Sequence, residues 1–203
     1  MMTPDQIRLS VDALQPAPAH ESMDQVAVRV AHWLLTLVED EHEAIAMTAS
    51  LYKRAVAGDM PIAAEWEANE SALALDLALA RALALDLDLD LDLDLALARA
   101  LFDDALIRIL GPRLQPMPDL HLLIADAVDS GSLDMSAWHS CETQHCRAGW
   151  ANTIHPLGLE VERLFGPEWA GRVIYKVSTG MIPDFFASTS AALADIRRCA
   201  GRS

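Results

Sequence analysis

The sequence is poor in cations. Among its 203 residues, 15 are Lys or Arg and 30 are Asp or Glu, which gives a formal net charge of −15 and a pI near 4.6. So acidic a chain repels phosphate backbones and anionic lipid headgroups, so we expect no direct binding to nucleic acid or to a membrane. The charge instead favours a basic protein partner, or serves simply to keep the protein in solution. Residues 1–110 hold 20 acidic and 7 basic side chains, whereas residues 111–203 hold 10 and 8.

Cysteines are also few, and their number, 3, is odd, which excludes a disulfide-stabilised scaffold. The first ten residues contain no basic segment followed by an apolar core, so no secretion signal is predicted. No run reaches the roughly 18 uncharged residues that a membrane span needs. We therefore expect a cytoplasmic protein. Gly-rich phosphate loops and the H-E-x-x-H and G-x-S-x-G motifs are missing, so no cofactor is predicted.

Glycine and proline are unevenly spread, and residues 62–110 contain neither. No sustained run rich in Val, Ile, Thr and aromatic residues occurs, so we expect few strands. The predicted fold class is all-α: a helical bundle with one long Leu/Ala/Asp-rich helix and a small C-terminal helical module. Glycine, proline and the apolar spacing place the predicted helices at 4–14, 22–57, 61–110, 119–128, 145–154, 157–165, 167–178 and 188–199. Within 22–57 the acidic segment 39–43 is either a bend or a solvated face of the helix.

Two regions are predicted. The N-terminal helical region covers residues 1–111 and includes the long low-complexity helix 61–110. A Cys/Trp-motif helical module covers residues 112–203, after a linker that begins "RLQPMPDL". Within the first region an apolar stripe at helical spacing predicts a core-facing surface; its members are Val26, Val30, Trp33, Leu34, Leu37 and Val38.

Between residues 72 and 101 every odd position is Leu or Arg and every even position is Ala or Asp. Period two is typical of a half-buried strand, but a strand of this length would extend about 100 Å. Nothing inside the run could turn it into hairpins, and Leu and Ala are strong helix formers. We therefore predict an α-helix over 72–101. Two rows of acid then flank a leucine face: Asp86, Asp90 and Asp94 form one, and Asp88 and Asp92 form the other.

These five aspartates are the candidate partner-binding residues. A hard-cation site needs oxygen ligands that converge on one point, and a straight row along a helix does not converge. A role in binding would therefore come from charge, for example by imitating a phosphate backbone toward a basic protein. The alternative, which we favour, is that a Leu-Asp codon pair expanded by slippage and was tolerated because the product remains helical. Like charges at i, i+4 cost only a few tenths of a kcal/mol per pair.

The most distinctive segment is "WHSCETQHCRAGWA", residues 138–151, which places two histidines and two cysteines within eight positions. One interpretation is a zinc site, because these side chains are suitable donors. The adjacent His145 and Cys146 cannot easily point at one ion, however. The candidate ligands are His139, Cys141, His145 and Cys146.

A second interpretation is a nucleophile site. Thr143 could cap a helix that begins at Gln144, which would leave Cys146 in the first turn. A helix N-terminus lowers the pKa of a thiol, and a histidine could act as base. A cysteine-dependent hydrolase or transferase would then use Cys146 with one of three candidate bases: His139, His145 or His155.

The third interpretation, which we favour, is structural, because a buried cysteine is usually a small hydrophobe. It predicts that Trp138, Cys146 and Trp150 are buried and mutually close in the core of the C-terminal module. The structural motif comprises Trp138, Cys141, Cys146, Gly149 and Trp150.

The segment "WHSCETQHCRAGWA", followed by "VIYKVSTG" and "PDFFASTSAALADIRRCA", resembles the C-terminal module of uncharacterised bacterial and phage proteins. That module carries a Cys-Gly-Thr-x-x-Cys-x-Ala-Gly-Trp signature and a terminal Phe-(Tyr/Phe)-Ala-Ser-x-x-x-Ala-Leu motif. The resemblance covers about residues 134–200, and Glu142 replaces the family glycine. It implies an upstream low-complexity helical stretch and no particular activity. The matching residues are Cys141, Thr143, Cys146, Ala148, Gly149, Trp150, Phe185, Phe186, Ala187 and Ser188.

Three functional hypotheses follow. The first is a non-enzymatic acidic helical interaction protein of phage or prophage type, an inhibitor or mimic that engages a basic, nucleic-acid-binding partner. The second is the cysteine-dependent hydrolase or transferase. The third is a protein organised by a small structural zinc site at the Cys/His cluster.

Overall fold

The computed structural model describes residues 4–37, 50–51, 53–59, 61–62, 64–65, 91–130, 132–141 and 143–202. Over these residues the chain is mainly helical, which confirms the all-α prediction, and its strands are few and short. Within the described ranges, none of the helices combines the length and the hydrophobicity that a membrane span requires. The chain divides into two compact units, which we call the N-terminal unit (1–109) and the C-terminal unit (110–203).

The N-terminal unit contains α1 (Pro4–Ala13), α2 (Met23–Thr36) and all but the last residue of α3 (Leu91–Leu110); residues 50–51 and 53–56 are also helical. A reciprocal cap starts α2, because the Gln25 amide donates to Ser22 Oγ at 3.2 Å and the Ser22 amide donates to Gln25 Oε1 at 2.7 Å. The helix predicted over 72–101 is confirmed for 91–101. Residues 72–90, with Asp86, Asp88 and Asp90, lie outside the described residues, as do the side chains of Asp92 and Asp94.

The core of the N-terminal unit forms where α1, α2 and α3 meet. Val11, Trp33, Leu101 and Ala105 are buried together there, and Trp33 Nε1 donates to Ser10 Oγ at 3.2 Å. The predicted stripe is correct at Val26, Val30 and Trp33, which are buried, and at Leu37, which packs against this cluster.

Leu34 departs from that stripe because its side chain is 40% exposed. Val26, Val30, Trp33 and Leu37 follow the narrow i, i+4, i+7, i+11 spacing, whereas Leu34 is turned about 100° from Trp33 around the helix. The prediction that Leu34 belongs to the core face was therefore wrong. Val38 lies outside the described residues.

The C-terminal unit is a set of short helices around one buried helix. A 3₁₀ turn at Gly111–Arg113 precedes α4 (Leu120–Ser130), and four helices follow the strands. They are α5 (Arg147–Ile154), α6 (Gly158–Phe165), α7 (Pro167–Thr179) and α8 (Thr189–Cys199). These bounds agree with the helices predicted near 119–128, 145–154, 157–165, 167–178 and 188–199 to within a few residues.

Three short strands lie between α4 and α5: β1 (Ser132–Leu133), β2 (His139–Cys141) and β3 (Gln144–His145). The strand order is β1-β3-β2, with β1 parallel and β2 antiparallel to β3. The expectation that a helix begins at Gln144 was therefore wrong. Cys146 is extended, with φ −73° and ψ 178°, so the first helical residue is Arg147.

Helix α7 is the centre of this unit and packs against α5 and α6. Its inward face is fully buried at Ala170, Val173, Ile174 and Tyr175. A Cβ added at Gly171 would lie 2.7 Å from the Cβ of Ala148. The two helices thus approach to backbone contact, which fixes α5, and the Cys/Trp motif that it carries, against the core.

Candidate functional site

Cys146 is the N-cap of α5. Its Sγ accepts a hydrogen bond from the Gly149 amide at 3.3 Å, and only 1% of the residue is exposed. Burial raises the pKa of the Cys146 thiol, and this effect outweighs the opposing effect of the hydrogen bond from Gly149. An activated nucleophile has a lowered pKa and an accessible sulfur. The surroundings of Cys146 are therefore those of a structural cysteine.

The two histidines of the motif face each other. His139 Nδ1 lies 2.7 Å from His145 Nδ1, and His139 Nε2 lies 2.8 and 2.9 Å from the two carboxylate oxygens of Glu162. All of these bonds form if His139 Nε2–H donates to Glu162 while His145 Nδ1–H donates to His139 Nδ1. Both nitrogens of His139 are then occupied, so its ring has no nitrogen left to act as a base.

The same geometry leaves no room for zinc between these rings. Two imidazole nitrogens that each bind zinc at about 2.0–2.1 Å with tetrahedral angles lie about 3.3 Å apart, well beyond the observed 2.7 Å. Over the described part of the chain, no group of three or more His, Cys, Asp or Glu side chains is placed to hold a metal ion. The side chain of Cys141, a predicted ligand, lies outside the described residues.

His155, the third candidate base, is bound to backbone on both sides. Its Nδ1 accepts from the Leu157 amide at 3.1 Å, and its Nε2 lies 3.0 Å from the carbonyl oxygen of Gln115. The residue is 3% exposed. It therefore closes the end of α5 and anchors a preceding segment, and neither ring nitrogen is available to a thiol.

The carboxylate of Glu162, on α6, lies between His139 of β2 and Asn152 of α5, and it contacts both. Asn152 Nδ2 donates to Glu162 Oε2 at 2.8 Å and to the Pro167 carbonyl at 3.1 Å. The Asn152 Oδ1 atom is buried and makes no hydrogen bond to the described residues. The chain of contacts from Asn152 through Glu162 to the two histidines joins α5 and α6 to the small sheet.

The remaining motif residues serve close packing. Trp150 Nε1 donates to the Ser132 carbonyl at 3.1 Å, and its ring lies edge-on to His145 with centroids 4.4 Å apart. A Cβ at Gly149 would overlap the carbonyl oxygen of Trp138, which accepts from the Cys146 amide at 3.2 Å. Only glycine therefore lets α5 lie this close to the strand region.

The prediction that the ring of Trp138 is buried with Cys146 and Trp150 was wrong for Trp138. Cys146 and Trp150 are buried, but Trp138 is only half-buried. Its ring packs edge-on against Phe186, at a centroid distance of 6.1 Å, and Phe186 is itself 69% exposed. The contribution of Trp138 to the motif is its backbone carbonyl, while its ring forms a surface pair.

The sequence prediction missed the charged group at the other side of α5. Arg147 is 2% exposed; its Nε donates to the Tyr175 hydroxyl at 2.9 Å and its Nη1 donates to Asp195 Oδ2 at 2.5 Å. The Arg147 guanidinium holds the pKa of Asp195 below its ordinary value, and burial raises the pKa of Tyr175 to about 12. Tyr175 and Asp195 follow Arg147 by 28 and 48 positions, so no local pattern could have identified the group.

No protein-family model, curated protein or solved structure matched this chain in the comparisons.

Proposed function

We propose that this chain is a non-enzymatic interaction protein of phage or prophage type, whose acidic N-terminal region engages a basic protein partner. The observation that carries the proposal is the unequal charge of the two units. Residues 1–109 hold 20 acidic and 7 basic side chains, and residues 110–203 hold 10 and 8. Nearly all of the net charge therefore belongs to one unit.

Ion pairs within the described residues support this division. In the C-terminal unit, Asp195 meets both Arg147 and Arg198, and Asp129 meets both Arg197 and Arg202. Cations there are nearly as numerous as anions, so its charges can balance internally.

In the N-terminal unit Arg29, Arg54 and Arg108, three of the five described arginines, are each paired with an acid already. Most acidic side chains of this unit have no basic side chain to balance them, because 20 acids face 7 cations. A basic surface on a partner would complement this excess of negative charge. Such a field accelerates encounter and rejects acidic partners, and it weakens as salt screens it. The five aspartates Asp86, Asp88, Asp90, Asp92 and Asp94 place five acidic side chains within nine positions of that unit.

The environment of Cys146 gives the alternative of a cysteine-dependent enzyme no support. Its thiol is buried, its pKa is raised, and His139 and His155 have both ring nitrogens engaged.

Affinity capture tests the proposal. The full chain is immobilised and exposed at low salt to a lysate of the cell that produces it, and bound proteins are eluted with rising salt and identified. We expect basic proteins that elute with salt, and we expect a variant with all five aspartates changed to Asn to lose them. Retention of the same proteins by that variant, or elution independent of salt, would contradict the proposal.

A further inference from the structure

A cavity of about 280 Å³ lies in the C-terminal unit, beside α8 and the irregular segment 181–187 that precedes it. Its walls are apolar on the side of Ile182, Pro183, Ala187 and Ala191. Its other side carries Tyr175 and the charged groups described above. Apolar walls with a few converging polar groups are typical of sites for small organic molecules, and this volume lies just below the usual range of about 300–1,000 Å³.

Arg147 is the buried charge of this cavity, and its hydrogen bonds are incomplete. A guanidinium has five N–H donors. Nε and Nη1 donate to Tyr175 and Asp195, whereas Nη2 makes no hydrogen bond to the described residues. Arg147 is 2% exposed and lines the cavity, so Nη2 meets its acceptor there, either solvent or a ligand that displaces it.

Asp195 does not supply that acceptor, because only Nη1 of Arg147 donates to it. Its Oδ2 accepts from Arg147 and from the Cys199 thiol, and its Oδ1 accepts from Arg198, so a single carboxylate is shared between two guanidinium groups and a thiol. His121, which also lines the cavity, adds no positive charge at neutral pH, because burial lowers its pKa. The polar side thus offers N–H donors with positive charge, and an anionic oxygen fits it best.

The remaining lining acid limits the charge of the ligand. Asp184 also faces the cavity, and its Oδ1 accepts from the Phe186 amide at 2.8 Å. Together with Asp195 it balances the two arginines, so the site opposes a doubly charged anion such as phosphate. A single carboxylate on an apolar body meets the donors and the apolar wall with about half of that repulsion.

We propose that this cavity binds a small apolar monocarboxylate, with its carboxylate against Arg147 and Arg198 and its hydrocarbon body against the segment 181–187 and Ala191. This site is independent of the partner-binding function, because every residue that forms it belongs to the C-terminal unit.

Titration of the full-length protein with 3-phenylpropionate, followed by two-dimensional NMR of arginine side chains and backbone amides, tests the proposal. We expect saturable shifts at Arg147 Nε–H and in segment 181–187, with no saturable shift from 3-phenylpropionamide or inorganic phosphate. Absence of saturation with the carboxylate would overturn the proposal. So would equal affinity for the amide, or tighter binding of phosphate.

Two variants locate the site without disturbing buried Arg147. Arg198 is exposed, and Arg198→Gln should weaken phenylpropionate binding by about tenfold, the effect of one lost charge-assisted hydrogen bond. Its matched control is Arg197→Gln, on the same helix but outside the cavity lining, which should change the affinity less than about twofold. Ala191→Leu, at an exposed position of α8, should fill the cavity and abolish binding. Equal effects of the two arginine variants, or full binding by Ala191→Leu, would overturn the assignment.

Discussion

Gly149 lies directly against the backbone carbonyl of Trp138, so closely that a Cβ on the glycine would overlap the carbonyl oxygen. The same carbonyl accepts the amide of Cys146, whose sulfur in turn accepts the amide of Gly149. The three residues form a closed set of contacts that joins the start of α5 to the segment before β2. The segment 146–150 is therefore explained by packing, since each conspicuous member has a structural task.

The substitution Gly149→Ala tests that explanation, because packing predicts a loss of stability where helix propensity alone predicts a gain. Alanine stabilises the interior of an unobstructed helix by about 1 kcal/mol relative to glycine. Here the Cβ would meet Trp138 O, so we expect the free energy of unfolding to fall by about 1–3 kcal/mol, in the range of overpacked sites. Urea denaturation of the full chain measures it. An unchanged or raised midpoint would show that the close approach is absent.

The two tryptophans of the motif should differ in their contribution to stability. Trp150 is 8% exposed and hydrogen-bonded to Ser132, whereas the ring of Trp138 is half-buried. We expect Trp150→Ala to cost about 3–5 kcal/mol and to leave the C-terminal unit sensitive to protease. Trp138→Ala should cost about half as much or less. Equal costs in denaturation, or a larger cost at Trp138, would contradict the contacts described for their rings.

Asp195→Asn should destabilise the protein at neutral pH, because it removes the carboxylate that compensates buried Arg147. Breaking a buried pair costs about 3–5 kcal/mol, and since the Asp195 side chain is 34% exposed we expect a smaller loss, about 1–3 kcal/mol. The pKa of Asp195 is lowered in the folded state, so its stabilisation is present above the ordinary pKa of about 3.9 and is lost as pH falls below it. The difference between wild type and variant should therefore shrink from pH 6 to about pH 3.

A matched control for this measurement is Asp129→Asn. Asp129 meets Arg197 and Arg202 on the surface, and exposed pairs contribute roughly 0–1 kcal/mol. If both variants lose the same stability, and the loss at Asp195 does not depend on pH, the role given to the Arg147–Asp195 pair is wrong.

Cys146 should react slowly with iodoacetamide in the native protein at neutral pH. Its sulfur is buried and bound to the Gly149 amide, and burial raises the pKa of its thiol, so little thiolate is present and little of it is accessible. Cys199 is partly exposed and provides an internal comparison. Peptide mapping should show Cys199 labelled first and Cys146 labelled only after denaturation. Rapid labelling of native Cys146 would restore the nucleophile interpretation.

Sequence patterns predicted the helices of the C-terminal unit because glycine and proline mark their ends. Pro167 and Gly180, for example, bound α7, and the left-handed φ of 74° at Gly180 is a conformation that favours glycine. The strands around His139 and His145 were missed because two or three residues are too short to show a period of two. That omission also shifted the predicted helix start from Arg147 to Gln144.

The candidate site was predictable only where its residues are neighbours in sequence. The Cys146 cap and the packing of Gly149 lie inside one short segment, so the structural interpretation of the motif could be made from the sequence. The partners of Arg147 on α7 and α8, and Glu162 opposite His139, are brought together by tertiary packing alone. In the sequence, the buried charged group was indicated only by Arg147, a single arginine among small and apolar residues.

If the acidic N-terminal region binds the partner, the position of the removed charges should matter as well as their number. Two variants that each remove three negative charges are compared: Asp86, Asp90 and Asp94 changed to Asn in one, and Asp119, Glu160 and Glu168 changed to their amides in the other. Both variants have the same net charge. Only the first lies in the run of aspartates, so only the first should weaken partner binding strongly.

The most direct test of the interaction function is the affinity of the captured partner for the wild-type protein and these two variants, titrated from low to physiological ionic strength. Complexes held by complementary charge lose affinity as salt screens the pairs. We predict a steep loss of wild-type affinity with salt, a weaker and flatter dependence for the Asp86/Asp90/Asp94 variant, and near wild-type behaviour for the C-terminal variant. Affinity that is independent of salt, or equal weakening by both variants, would contradict the proposal that the acidic N-terminal region engages the partner.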